Sequence, residues 1–200
     1  MTVSTEMVKE LREKTSAGVL ECRKALEETG GDLDKAIALL KERGVAAAEK
    51  RVDRATNNGV LDLYNHGDGR VGVMVEVNCE TDFVARTDEF RNFAHEVALQ
   101  IAASSPRWLR EGDVPDDVLE QERAIARKWA ENDGKPEKVI PRIVEGRINK
   151  FLDDACLLRQ AYIRDDSKTV EDLLKEMIAS TGENITIRRF TRWALGEELE

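Results

Sequence analysis

Asp82 and Phe83 set an acid beside an aromatic inside the run Val77-Asn78-Cys79-Glu80-Thr81-Asp82-Phe83-Val84-Ala85-Arg86, and the pattern on either side places the pair between a strand and a helix. Side chains at such a junction project from a fixed scaffold, where they can meet a partner. The alternative is structural: Phe83 closes the local core and Asp82 satisfies loop amides. Covalent chemistry finds less support. The two histidines are His66 and His95, and neither stands near a Ser or Cys in a recognised nucleophile motif. No Walker loop, dinucleotide glycine fingerprint or metal-ligand spacing occurs, so no cofactor, metal or catalytic residue is expected. With 36% charged residues, carboxylate pairs such as Asp153-Asp154 and Asp165-Asp166 arise by chance and read as solvated surface.

Particular elements must hold Asp82 and Phe83 in place. Val71, Val73, Val75 and Val77 alternate with smaller or polar residues, the period of a half-buried strand. Phe90, Phe93, Ala94, Val97 and Ile101 recur on one helix face, with Thr87 as N-cap and Asp88 and Glu89 in an acidic first turn. Val60–Tyr64 and Arg70–Asn78 bracket His66-Gly67-Asp68-Gly69, the signature of a β-hairpin tip. A last strand is expected at Ile185–Trp193, after a helix capped by Thr169 with Val170, Leu173, Leu174, Met177 and Ile178 on one face. The fold class is therefore α+β, with a small antiparallel sheet of about three strands and flanking helices.

Upstream, three short helices are marked by Val8 and Leu11, by Leu20, Ala25 and Leu26, and by Leu33, Ala36, Ile37 and Leu40. Breaks fall at Thr15–Gly18 and Gly30-Gly31-Asp32, with Gly44 as the expected stop of the third helix. A bundle this small has no room for a buried site, so it must work through its surface. Val19 and Leu20 are adjacent and cannot both point inward, which leaves one of them exposed. The organisation read is a three-helix module at 1–44, a helical linker at 45–58 and an α+β core at 59–200. Within that core, a helical hairpin at 116–154 joins arms at Asp116–Glu131 and Glu137–Leu152. Val118, Ile125 and Trp129 are expected to line one arm, and Ile140, Ile143, Val144, Phe151 and Leu152 the other. Pro141 requires the second arm to start there or to kink.

Composition narrows the partners. At 200 residues and 41% hydrophobic content the chain can support one moderate and one small folded unit. A net charge of -9 argues against direct nucleic-acid binding, which needs a concentrated basic face. The three cysteines, Cys22, Cys79 and Cys156, are widely spaced and odd in number, so neither a zinc site nor a disulfide framework follows. The N-terminus lacks an apolar signal core, and no stretch approaches the ~18 apolar residues of a membrane span. A cytoplasmic protein is expected.

Four segments together resemble the elongation factor Ts family of bacteria and organelles. They are Val8-Lys9-Glu10-Leu11-Arg12-Glu13-Lys14-Thr15-Ser16-Ala17-Gly18, then Thr81 to Ala85, then Gly134-Lys135-Pro136 with Val144-Glu145-Gly146-Arg147, and last Glu183-Asn184-Ile185 with Ile187-Arg188-Arg189-Phe190. They occur in the family's order across nearly the whole chain. The resemblance implies an N-terminal ubiquitin-associated-like module, a projecting helical hairpin, and guanine-nucleotide exchange on elongation factor Tu, GDP-bound or nucleotide-free, during translation elongation. It places Arg12, Val19 and Leu20 against the partner's GTP-binding domain. It assigns Thr81, Asp82, Phe83 and Val84 to displacement of the partner's Mg2+, with Phe83 as wedge and Asp82 perturbing the metal's surroundings. Long members carry two related core halves and this chain has sequence for one, so a noncovalent homodimer is implied. Its expected interface is the sheet face around Ile185, Ile187, Phe190 and Trp193, with His66 as a second contact to the partner; otherwise His66 is an ordinary exposed turn residue. The competing function is a non-enzymatic scaffold or adaptor for another partner, which would give Asp82 and Phe83 no special part.

Overall fold

Ser4 accepts a hydrogen bond from the Met7 amide at 3.2 Å and so caps α1 (Thr5–Thr15), as a hydroxyl at a helix start does. The computed structural model describes residues 3–15 and 17–198. Ser16, within the expected Thr15–Gly18 break, and Met1 and Thr2 of the N-terminal reading lie outside the described residues. After α1 come α2 (Val19–Glu28) and α3 (Leu33–Glu49), β1 (Asn58–His66), β2 (Val71–Cys79), the single-turn α4 (Asp82–Ala85) and α5 (Asp88–Ser104). The remainder is α6 (Asp116–Asn132), α7 (Ile140–Ala155), β3 (Ala161–Tyr162), β4 (Asp165–Thr169), α8 (Val170–Thr181) and β5 (Ile185–Ala194). The architecture is α+β: a three-stranded antiparallel sheet in the order β1-β2-β5 and a separate two-stranded sheet of β3 and β4.

The chain packs as two compact units. One comprises Met1–Asp62, Glu76–His95 and Asp172–Arg188; the other comprises Leu63–Val75, Glu96–Glu171 and Arg189–Glu200.

In the first unit, Leu11, Cys22, Ala25, Leu26, Ala36 and Leu40 form the centre of the three-helix bundle, with Val8 and Ile37 packed against it. Cys22, Ala25 and Leu26 stand at i, i+3 and i+4 and make the inward stripe of α2. Leu20 is out of phase with that stripe, so both Val19 and Leu20 face outward, where the adjacency of the two required only that one of them be exposed. A second difference concerns Gly44. The helix does not stop there but runs on to Glu49, and residues 50–53 then leave it through turns. Gly44 keeps helical geometry and serves close packing instead, since a Cβ built on it would meet the Cβ of Ala179 in α8 at 3.1 Å. Glycine in a helix interior costs about 0.5–1 kcal/mol relative to alanine; here the missing side chain lets α3 and α8 approach.

The second unit contains the β1–β2 tip, the α6–α7 hairpin and the β3–β4 ladder. At the tip Gly67, Asp68 and Gly69 all have positive φ, and Asn65 accepts from the Gly69 amide at 2.9 Å. Pro141 lies in the first turn of α7, where its missing N–H has no helical partner to lose. The arm therefore starts at Ile140, with the proline in its first turn and no kink needed to hold it. Ile125 and Trp129 point outward and Ala126 and Ala130 are buried instead, because closely spaced helices need small residues at their contact. Trp129 is covered on one side by the Arg147 guanidinium, 3.7 Å from the ring centroid. Val114, Ile148, Leu152 and Cys156 close the base of the hairpin with Trp108 and Phe151. The β3–β4 ladder, antiparallel with Tyr162 opposite Asp165, is too short to have shown a period. Within it Asp165 accepts from the Ser167 hydroxyl at the surface, while Asp153 pairs with Arg159 at 2.8 Å.

β5 buries Ile185 and Ile187 within the chain itself, so these two do not form the outward sheet face expected of them. Phe190 is half-buried. The outward apolar residues of the second unit's strands are Leu63, Met74 and Trp193, followed by Leu195 just past β5.

Replacing Gly44 by valine forces apart helices already in contact. Gly44→Val should lower stability by roughly 1–3 kcal/mol, read as a shift of the urea unfolding midpoint with little change in slope.

Candidate functional site

The end of β2 is held by a carboxylate from far along the chain. Glu183 Oε2 accepts from the Glu80 amide at 3.1 Å and the Thr81 amide at 3.0 Å, and Oε1 accepts from the Thr81 hydroxyl at 2.6 Å. Thr81, in extended backbone conformation, caps α4 by accepting from the Val84 amide at 3.4 Å. Glu80 reciprocates: its Oε1 accepts from the Asn184 amide at 2.6 Å. That bond, and after it Arg54 at 3.3 Å, holds the Glu80 carboxyl below its usual pKa. The buried Asn184 amide group donates to the carbonyls of Val52 at 3.2 Å and Arg54 at 2.8 Å. Asn58 donates to the Glu80 carbonyl at 2.8 Å and Asn78 to the Thr56 carbonyl at 3.3 Å. The segment leading out of α3 is thus stitched to the same corner.

Beneath the corner lies Cys79, whose thiol donates to the Thr81 carbonyl at 3.1 Å. Burial, and then the negative charge of Glu183, push its pKa up to about 11, so it remains a protonated donor at neutral pH.

This frame projects Phe83. Ala85 is buried and Val84 half-buried, whereas Phe83 is 80% exposed. Of the five phenylalanines, Phe90 and Phe93 are buried and Phe151 and Phe190 half-buried. Phe83 therefore does not close the local core, and the structural alternative fails for it. Asp82 is partly exposed and pairs with Arg86 one turn on at 2.8 Å. Exposed i,i+4 pairs contribute about 0.3–0.5 kcal/mol, little enough for a partner to displace. Thr87 then starts α5 as expected, accepting from the Phe90 amide at 3.2 Å.

The other candidates lie elsewhere on the surface. Arg12 is exposed on α1, and Val19 and Leu20 are 52% and 72% exposed at the first turn of α2. His66 belongs to the second unit, exposed at the end of β1, with the Tyr64 hydroxyl 2.9 Å from its Nδ1. No group of three or more His, Cys, Asp or Glu that could hold a metal occurs among the described residues, and no described helix is long and apolar enough to cross a membrane. Sequence reasoning gave Glu183 and Asn184 no part in the site. They fell within a run matched to the family, but nothing periodic marks two residues that bond to a loop about a hundred positions away.

Similarity to known proteins extends along the chain and puts it among translation elongation factors. The family model for elongation factor TS matches residues 2–197. The chain belongs to the elongation factor Ts family. It is 57% identical to elongation factor Ts of Coprothermobacter proteolyticus over 197 residues, 98% of this chain and 100% of that protein. Against the elongation factor Ts of Caldanaerobacter subterraneus identity is 57% over 198 residues, 99% of each chain. For that of Thermotoga neapolitana it is 54% over 198 residues, 99% of this chain and 100% of the relative.

Because the folded corner lowers the Glu80 pKa, the unfolded chain binds more protons there in acid, and stability rises with pH across that window. The contribution is present above the unfolded value, about 4.3, and is lost as pH falls through the folded one. Acid unfolding followed by circular dichroism should therefore show a shallower loss below about pH 4.3 in Glu80→Gln than in the parent.

Proposed function

We propose that the chain is a guanine-nucleotide exchange factor for elongation factor Tu, acting in the cytoplasm without covalent chemistry and without direct contact to nucleic acid. The observation that carries this reading is Phe83, 80% exposed on a corner braced from both sides. Leaving a phenylalanine in water forgoes roughly 1.5–3 kcal/mol of burial, which a protein partner would restore. A GTPase holds its nucleotide through backbone amides, a lysine and a magnesium ion that offsets phosphate charge. The Thr81–Val84 turn would enter beside that metal, Phe83 parting the elements that support it and Asp82 adding negative charge to its surroundings. The coupling is reciprocal: the factor by which the protein weakens GDP binding is the factor by which GDP weakens the protein's own binding. GTP then expels it.

In this reading residues 1–44 are a docking module that engages the GTP-binding domain through Arg12, Val19 and Leu20, 45–58 is the linker, and 59–200 is the core that carries the wedge. We further propose that the protein works as a noncovalent homodimer. Leu63, Met74, Trp193 and Leu195 are exposed on or beside the strands of the second unit, and an uncovered apolar sheet face is a common site of association. A second subunit would also allow its His66 tip to touch another domain of the partner. A scaffold serving another partner would not need Phe83.

Release of a fluorescent GDP analogue from elongation factor Tu, in excess GDP and magnesium, should accelerate with substoichiometric protein. Phe83→Ala should lower that acceleration at least tenfold, about 1.4 kcal/mol, while its thermal melt stays close to that of the parent. Unchanged release with Phe83→Ala would favour the scaffold reading. Trp193→Asp should shift the sedimentation coefficient from dimer to monomer, and an unchanged coefficient would remove the dimer interface proposed here.

A further inference from the structure

We infer that Glu183 is a positioning residue for Phe83, an inference that rests on the exchange reading above. Three observations carry it. First, α4 spans only Asp82–Ala85, far below the ~12–15 residues at which a helix holds itself in water. Its direction must therefore come from what fixes its first residues. Second, the fixing group is Glu183: its two carboxylate oxygens accept the Glu80 amide, the Thr81 amide and the Thr81 hydroxyl, all within 3.1 Å. Those three donors sit immediately before Asp82, so losing them frees the torsions about which Phe83 would swing. Third, Glu183 is itself fixed. Its amide donates to Thr181 Oγ1 at 3.4 Å, and the next residue, Asn184, donates its amide to Glu80 and its side chain to the carbonyls of Val52 and Arg54.

The result is a two-way clasp, in which Glu80, just past β2, holds the residue after Glu183, and Glu183, just before β5, holds Glu80 and Thr81. With its oxygens turned to the corner's own donors, Glu183 acts on the partner only through Phe83. Hydrogen bonds to a charged acceptor are the stronger ones, and a misplacement of about 1 Å at a working side chain can cost on the order of a hundredfold in rate.

The test is a double-mutant cycle in the GDP-release assay, with the parent protein, Glu183→Gln, Phe83→Ala and the double variant, each titrated against elongation factor Tu. Glutamine keeps the volume but sets an amide donor among donors. Glu183→Gln should lower the maximal release rate about tenfold while the half-saturating concentration stays within about twofold, because the docking module is untouched. In the Phe83→Ala background the same substitution should have no further effect on rate, although it should lower the thermal midpoint in both backgrounds alike. A merely structural Glu183 would lower both rates by the same factor, which overturns the inference. So does a parent-like rate for Glu183→Gln. If the parent itself fails to accelerate release, the exchange reading falls first and the inference with it. Should Glu183→Gln not fold, Glu183→Asp enters the same cycle, since it keeps the charge but is one methylene too short to reach all three donors.

Discussion

Two carboxylates exchanged between neighbouring loops organise the corner on which the candidate site stands. Glu183 accepts from the end of β2, and Glu80, at that same end, accepts from the residue after Glu183. An ionised carboxylate can accept several N–H and O–H donors at once, and such bonds are shorter and stronger than neutral ones. Each of these chain ends would otherwise leave backbone amides without partners as it leaves the sheet. Satisfying them with side chains that lock each other leaves the turn at Thr81 little freedom, and the Cys79 thiol below it adds one more bond to the same loop.

Rigidity at that point changes the meaning of an exposed aromatic. A phenylalanine on a loose loop would fold back onto the nearest apolar surface, and single exposed apolar residues are common enough to carry no meaning alone. Here the single turn of α4 buries Ala85 and turns Phe83 to solvent, while the frame around it is pinned by long-range hydrogen bonds. Preorganisation of this kind means that little ordering entropy remains to be lost when a partner closes over the ring.

The three-helix bundle is joined to this frame by its last helix. α3 continues past Gly44, whose missing side chain admits Ala179 of α8, and the chain leaving α3 is held through the carbonyls of Val52 and Arg54 by Asn184. The residue pair Glu183-Asn184 therefore serves two segments, one oxygen-rich side chain facing the corner and one amide side chain facing the segment that leads out of the bundle. Both surfaces proposed to meet the partner's GTP-binding domain belong to the same compact unit.

Much of this was legible in the residues themselves. The strand through Val73, Val75 and Val77, the helix through Phe90 and Ile101, the hairpin tip and the cap at Thr87 all follow from local period and local hydrogen-bonding chemistry, which act within a few residues and so leave a pattern in the chain. Membership of a family could be inferred from four ordered motifs. Tertiary structure alone decided the rest. Whether Phe83 faces in or out depends on what packs around one helical turn, and adjacent positions such as Val19 and Leu20 were resolved only by Cys22 taking the inward stripe. Gly44 carries the same letter whether it ends a helix or lets one pass another, and Ala126 displaces Ile125 from the hairpin contact because two helices meet there. Glu183 reaches Thr81 across about a hundred residues. Contacts of that length obey no period, because they are set by how the whole chain folds back on itself and not by the order of neighbouring side chains.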